Sequence, residues 1–143
     1  PLDDPPTATC PGYGVACDQM IDHVGIEVSD YNRSKAFYEP VLATLGMTLL
    51  MEPAEYIGGF GFPDQGKPFF WIGTRAEPTH SAHVAFSAGS REIVDEFHKE
   101  AMAAGGTDNG GPGVRAIYHP HYYGAFVLDL DGNNIEAVCH EPA

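Results

Sequence analysis

The chain has 143 residues, a formal net charge of -13 with only 7 Lys and Arg, and 43% hydrophobic content. That length supports one domain with a core of its own and no need of covalent staples. No apolar run approaches a membrane span, and the shortage of cations removes the phosphate contacts on which nucleic-acid affinity rests, so neither a membrane nor a nucleic acid is an expected partner.

Residues 1–19 are rich in Pro and Gly and show no period, so they read as an N-terminal arm. Cys10 and Cys17 lie in it, as a disulfide or as two thiols. The disulfide implies an extracellular protein, and thiols imply a cytoplasmic one. A first residue of Pro rather than Met fits a processed secreted chain or a trimmed one. From Ile21 to Val28 the residues alternate as in a strand, with Val24, Ile26 and Val28 on one face and His23, Gly25 and Glu27 on the other. Ser29 and Asp30 suit a helix N-cap. The spacing of apolar residues predicts a helix over Arg33–Leu45, kinked or broken at Pro40 and ended by Gly46. Thr48–Met51, Tyr56–Phe62 and Pro68–Gly73 read as three short strands separated by Pro- and Gly-containing turns.

The same order then returns. Ala82–Ala88 is a strand with His83 and Ala85 on one face, and Ser90 caps a helix over Arg91–Ala104 whose Ile93, Val94, Phe97 and Met102 face the core. Gly105 and Gly106 stop it. Thr107–Gly113 reads as a loop, followed by strands at about Val114–Tyr118, Tyr122–Leu128 and Asn134–His140. Asp131-Gly132 marks a hairpin between the last two, and Cys139 reads as a small buried hydrophobe. One offset separates His23 from His83, Phe37 from Phe97 and Gly46 from Gly106. Two copies of one unit place the two histidines in equivalent positions, which is a start for a metal site.

Paired strand-helix-three-strand modules, a His in the first strand of each, and Asp129-Leu130-Asp131-Gly132-Asn133-Asn134-Ile135-Glu136 near the end resemble the vicinal oxygen chelate superfamily. That superfamily includes glyoxalase I, type I extradiol dioxygenases, fosfomycin-resistance proteins and bleomycin-binding proteins. The resemblance covers residues 20–141. It implies an α+β domain over 20–143, with module one at 20–75 and module two at 80–141. The two βαβββ modules would form a curved mixed sheet around a metal-binding cleft.

By that resemblance His23, His83 and Glu136 fall at three metal-ligand positions, and the fourth falls on Trp71, which has no donor for a metal. Two His and one carboxylate match the extradiol dioxygenase set and the facial triad of non-haem iron sites, for one Fe, Mn, Ni or Zn ion. The dioxygenase signature matches only in part: His119, Asp129, Gly132 and Glu136 align, while Phe126 stands at the catalytic Tyr and Leu130 at the Pro.

His119, His121, Tyr122 and Tyr123 are candidates for proton transfer or substrate orientation, against the plainer reading of an aromatic edge cluster. Phe62, Phe69 and Trp71 are candidates for an apolar substrate wall, against core filling. Glu27 reads as a solvated strand-edge residue or an acid-base group. The expected function is a metal-dependent enzyme of the glyoxalase or dioxygenase type, acting on a small molecule and forming a homodimer. The alternative is a non-catalytic protein of the same fold that sequesters a small molecule or metal.

Overall fold

The computed structural model describes residues 21–143. The arm and the Cys10–Cys17 pairing lie outside the described residues. In chain order the elements are β1 (Val24–Glu27), α1 (Tyr31–Ala43), β2 (Thr48–Ala54), β3 (Ile57–Gly61) and β4 (Phe70–Gly73), then β5 (His83–Ser87), α2 (Arg91–Ala103), β6 (Thr107–Val114), β7 (Tyr123–Leu128) and β8 (Asn134–Cys139). The repeated strand-helix-three-strand order is present. Each module makes a four-stranded mixed sheet of the same order, β1-β4-β3-β2 and β5-β8-β7-β6. The first strand of each lies parallel to the last, with Gly25 opposite Trp71 and Ala85 opposite Glu136. No helix among the described residues is long and apolar enough to cross a membrane.

Local chemistry starts and stops the helices as the sequence suggests. Asp30 caps α1 by accepting from the Arg33 amide, and Ser90 caps α2 by accepting from the Ile93 amide. Gly46 (φ 80) and Gly105 (φ 103) take the left-handed turn that follows each helix.

Several boundaries differ from the sequence expectation. Pro40 sits inside α1 without ending it. The flanking Tyr38, Val41 and Leu42 are fully buried, and that packing outweighs one missing amide donor. Thr107–Gly113 is most of β6 rather than a loop, and 115–118 is not a strand. Main-chain pairing of Asp108 with Val127 and Gly113 with Gly124 needs no side chains. Two register shifts take up the extra Gly and Pro residues. Pro53 likewise lies within β2, at a register shift, rather than after a strand ending at Met51. Met102 is exposed on α2 instead of facing the core.

One core serves both modules. α1 packs on α2, and the rings of Phe70 and Phe86 meet edge to face at 5.2 Å across the module boundary. Cys139 is buried, as expected of a small hydrophobe. The buried Asp129, at the β7–β8 turn, accepts from the Tyr38 hydroxyl of α1 (2.6 Å) and from the amides of Asp131 (2.9 Å) and Asn133 (2.8 Å). The Asn133 side-chain amide adds a bond at 3.0 Å. Next to it the Asp131 carboxylate accepts from the Ser29 amide at the exit of β1. The Asp-x-Asp-Gly segment is thus a clamp between modules.

Burial, with the charge of Asp129 second, pushes the Tyr38 phenol well above its ordinary 10.0. The folded chain keeps this proton when the unfolded chain loses it. The resulting stability is complete below about pH 10 and is lost as the pH rises, at about 1.4 kcal/mol per unit. Tyr38→Phe is expected to cost about 1–3 kcal/mol in urea unfolding at pH 7 by leaving the carboxylate short of a donor. It is also expected to flatten the alkaline limb of the stability curve. An unchanged midpoint at pH 7 would show that the clamp contributes nothing.

Candidate functional site

In module two the period of the strand decides what faces outward. Val84, Phe86, Ile135 and Ala137 pack against the core, so His83, Ala85 and Glu136 occupy the other, open face. Phe126 of β7 lies opposite Glu136 on that face. His83 Nε2 lies 2.9 Å from Glu136 Oε2, and the Tyr122 hydroxyl donates to Glu136 Oε1. The carboxylate is 1% exposed although it sits on the open side of the sheet, and the imidazole is 52% exposed. Gly124 leaves room for this arrangement: a Cβ there would come within 3.1 Å of both Glu136 Oε1 and the Tyr122 ring. Burial, and then the bond to Glu136, push the Tyr122 phenol up to about 12.

The remaining polar candidates divide. His119 and His121 are exposed, with ring centroids 5.5 Å apart, and His119 lies 6.4 Å from His140. His140 in turn stands edge-on to Tyr122 at 5.2 Å. Tyr122 therefore sits between an imidazole rim and the buried carboxylate. Tyr123 goes the other way. Its hydroxyl donates to Asp95 of α2 at 2.7 Å, and the Arg91 guanidinium lies 5.0 Å over its ring.

Module one repeats the geometry with other chemistry. His23, Gly25 and Glu27 share the open face, with Trp71 and Gly73 beside them on β4. His23 is exposed and its Nδ1 lies 2.7 Å from Asp22 Oδ1, while the Lys67 ammonium pairs with the other oxygen of Asp22. The bond to Lys67, then that to His23, hold the Asp22 carboxyl below its ordinary value. Glu27 is not a free strand-edge group. It accepts from the Arg75 amide (2.8 Å) and Nε (3.1 Å), and pairs with Nη2 at 2.8 Å. A cavity of about 380 Å³ opens here, lined by His23, Gly25, Pro53, Ile57, Trp71 and Arg75.

The structure therefore joins His83 to Glu136 and leaves His23 just ahead of β1, at the start of the other sheet rather than within its first strand. Among the described residues no three His, Cys, Asp or Glu side chains gather as a set for one ion. Trp71 lines the cavity, whereas Phe62 and Phe69 stack on one another at 5.5 Å against the core. Arg75, Asp22 and Ile57 were not singled out by the sequence. For Arg75 a signal existed: counting by twos from Trp71 along β4 reaches it, although it stands in a segment that reads as a turn.

The family model described as the glyoxalase/bleomycin resistance protein/dioxygenase superfamily matches residues 20–137. A crystal structure of a glyoxalase/bleomycin resistance protein from Albidiferax ferrireducens is 32% identical, covering 86% of this chain and 99% of that one, with a TM-score of 0.73. A putative glyoxalase from Bacillus halodurans (23% identity, 85% and 96% covered, TM-score 0.63) is similar in fold. So is a lactoylglutathione lyase from Agrobacterium tumefaciens (19% identity, 85% and 93% covered, TM-score 0.60). Among curated proteins none matches.

Removing the Tyr122 hydroxyl leaves one oxygen of a buried carboxylate without a donor. Tyr122→Phe is expected to lower unfolding stability by about 1–3 kcal/mol at pH 7. Denaturant titration with an unshifted midpoint would show that this bond adds nothing to stability.

Proposed function

The chain belongs to the glyoxalase/bleomycin resistance protein/dioxygenase superfamily, and we propose that within it this protein is a metal-dependent small-molecule enzyme of the glyoxalase or dioxygenase type. A divalent ion would be held by His83 and Glu136 of one chain and His23 of a second copy. The observation that carries this reading is the pair His83 Nε2 and Glu136 Oε2, 2.9 Å apart. Two donors each about 2.1 Å from a six-coordinate ion, at right angles, lie about 3 Å apart. The spacing therefore fits a chelating pair.

Two further contacts support it. Asp22 on Nδ1 of His23 and Tyr122 on Oε1 of Glu136 are the outer partners that orient ligands in metal sites. A second copy supplies the third donor for a geometric reason. α1 on α2, and Phe70 on Phe86, turn the covered faces of both sheets into one core, so the open faces look away from it. Apolar side chains flank each half-site, Met51 and Tyr56 on one and Ile117 and Tyr118 on the other. All four are exposed in one chain, which suits burial against a copy.

Three protein ligands, with Trp71 where a fourth would stand, leave positions for adjacent oxygens of a small substrate. The bound ion, Fe, Mn, Ni or Zn, would act as a Lewis acid on those oxygens. Of the polar candidates, Tyr122 has its hydroxyl in the site, and His119 and His121 stand at its mouth in position to pass protons. The rival reading is a metal-free sequestering protein of the same fold, favoured by the two donors that one chain brings together.

Elemental analysis of protein purified without chelator is expected to find about one ion per protomer, lost on His23→Ala or Glu136→Ala. Mixing these two variants is expected to restore about one ion per mixed dimer, because each mixed dimer rebuilds one whole site. Metal-free protein supports the sequestering reading, and mixing without recovery rejects a shared site. Hemithioacetal conversion is expected to be negligible because Trp71 removes a ligand. Robust turnover in that assay would refute this. Oxygen uptake with catechols tests ring cleavage.

A further inference from the structure

The half-cleft of module one has chemistry that metal ligation leaves unused. Its floor is glycine. The indole of Trp71 lies across Gly59, where a Cβ would come within 2.9 Å of Cδ2 and Cε2. Arg75 lies over Gly25 and Gly73, where a Cβ would be 3.6 Å from Nη2 and 3.2 Å from Nε. These positions are neighbours in the sheet, Gly25 opposite Trp71 and Trp71 opposite Gly59, with Glu27 opposite Gly73 in the next row. Side chains at 25, 59 and 73 would fill the space in which one flat aromatic and one flat cation now lie side by side.

Glu27 holds Arg75 by its inner edge, Nε and Nη2, and by the Arg75 amide. A guanidinium has five N–H donors in a planar fork. Nη1 makes no hydrogen bond to the described residues, so the outer edge is available and already oriented. The chain carries -13 overall with 7 Lys and Arg, and the cavity wall holds Arg75 and His23, each paired with one carboxylate, Glu27 and Asp22. Charges beyond about 8–10 Å are screened at physiological salt, so the local partner decides what an anion meets.

We propose that this half of the cleft takes a small planar carboxylate, its ring against Trp71 and its carboxyl on the Nη1 edge of Arg75. This names the substrate class for the cleft assigned above and rests on that reading only for its link to catalysis. The cavity of about 380 Å³ accommodates a single-ring molecule.

Trp71 is the one tryptophan of the chain, so its emission reports the site directly. Benzoate, its neutral isostere benzamide, and acetate are titrated into the full chain in EDTA and, in a parallel series, without it. Benzoate is expected to change the emission saturably, benzamide at least about tenfold more weakly, and acetate not at all over the same range. Arg75→Met is expected to bring benzoate to the level of benzamide while benzamide binding, the check on folding, stays as in the wild type. Equal benzoate and benzamide affinities in the wild type overturn the proposal without any variant. So does the absence of a saturable response, or a benzoate affinity indifferent to Arg75→Met. EDTA separates this test from the metal reading: selectivity that persists in chelator stands whatever the metal content proves to be. Selectivity found only without chelator assigns the carboxylate to the ion and removes Arg75 from the role.

Discussion

A carboxylate taken out of water must be surrounded by donors, and Asp129 is the place where this requirement ties the molecule together. Its donors are the Tyr38 hydroxyl, the amides of Asp131 and Asn133, and the Asn133 side chain. Leaving such a group short of partners costs more than any of these bonds contributes alone. The donors come from both modules, so satisfying the charge fixes how α1 lies against the β7–β8 turn. That turn sets where β8 begins. Asn134 then falls opposite His83, and two residues on Glu136 falls opposite Ala85. The position of the candidate ligand thus descends from a contact that takes no part in the chemistry.

The same constraint explains why the candidate site is divided. With α1 on α2 and Phe70 on Phe86 the modules share one core, and every residue of opposite parity is turned outward. His23 and His83 are equivalent in sequence, and each stands at the start of its module's first strand, His83 within β5 and His23 one residue ahead of β1. Equivalence under a pseudo-twofold relation does not mean proximity. It means that each open face carries one imidazole, and what lies beside each differs: a buried carboxylate and a phenol beside His83, an exposed carboxylate, an indole and a guanidinium nearer His23.

The order of elements was legible because each depended on local chemistry, the caps at Asp30 and Ser90 and the glycines at 46 and 105. So was the pairing of His83 with Glu136, because a strand period places both on one face. What escaped depended on distant partners. β6 is a strand by main-chain pairing to β7 alone, and Thr-Asp-Asn-Gly-Gly-Pro-Gly carries no side-chain period to announce it. Pro40 survives in α1 because its neighbours are buried by elements far along the chain. Tyr122 and Tyr123 read alike as members of one aromatic run, yet Tyr122, just ahead of β7, turns toward Glu136 and Tyr123, the first residue of β7, turns to Asp95. Arg75 looked like turn chemistry, and only Glu27 across the sheet gives it an orientation.

The two buried carboxylates of module two make the strongest internal comparison. Asp129 is 5% exposed and Glu136 1%, so both have given up water. Asp129 is met by four donors, two of them rigid backbone amides. Glu136 is met by two, a phenol and a half-exposed imidazole. A carboxylate has about four lone-pair sites, so Asp129 is saturated and Glu136 is about half so. A group this deeply buried with unused acceptor capacity, pointing to the open face beside a His nitrogen, is chemically unfinished in a way that its neighbour is not. The amides of β8 are committed to β5 and β7 on either side. With Nε2 of His83 unprotonated, that nitrogen and Oε2 would together hold a cation, which would supply the missing charge. The donor balance thus points to the same pair of atoms as their 2.9 Å spacing does.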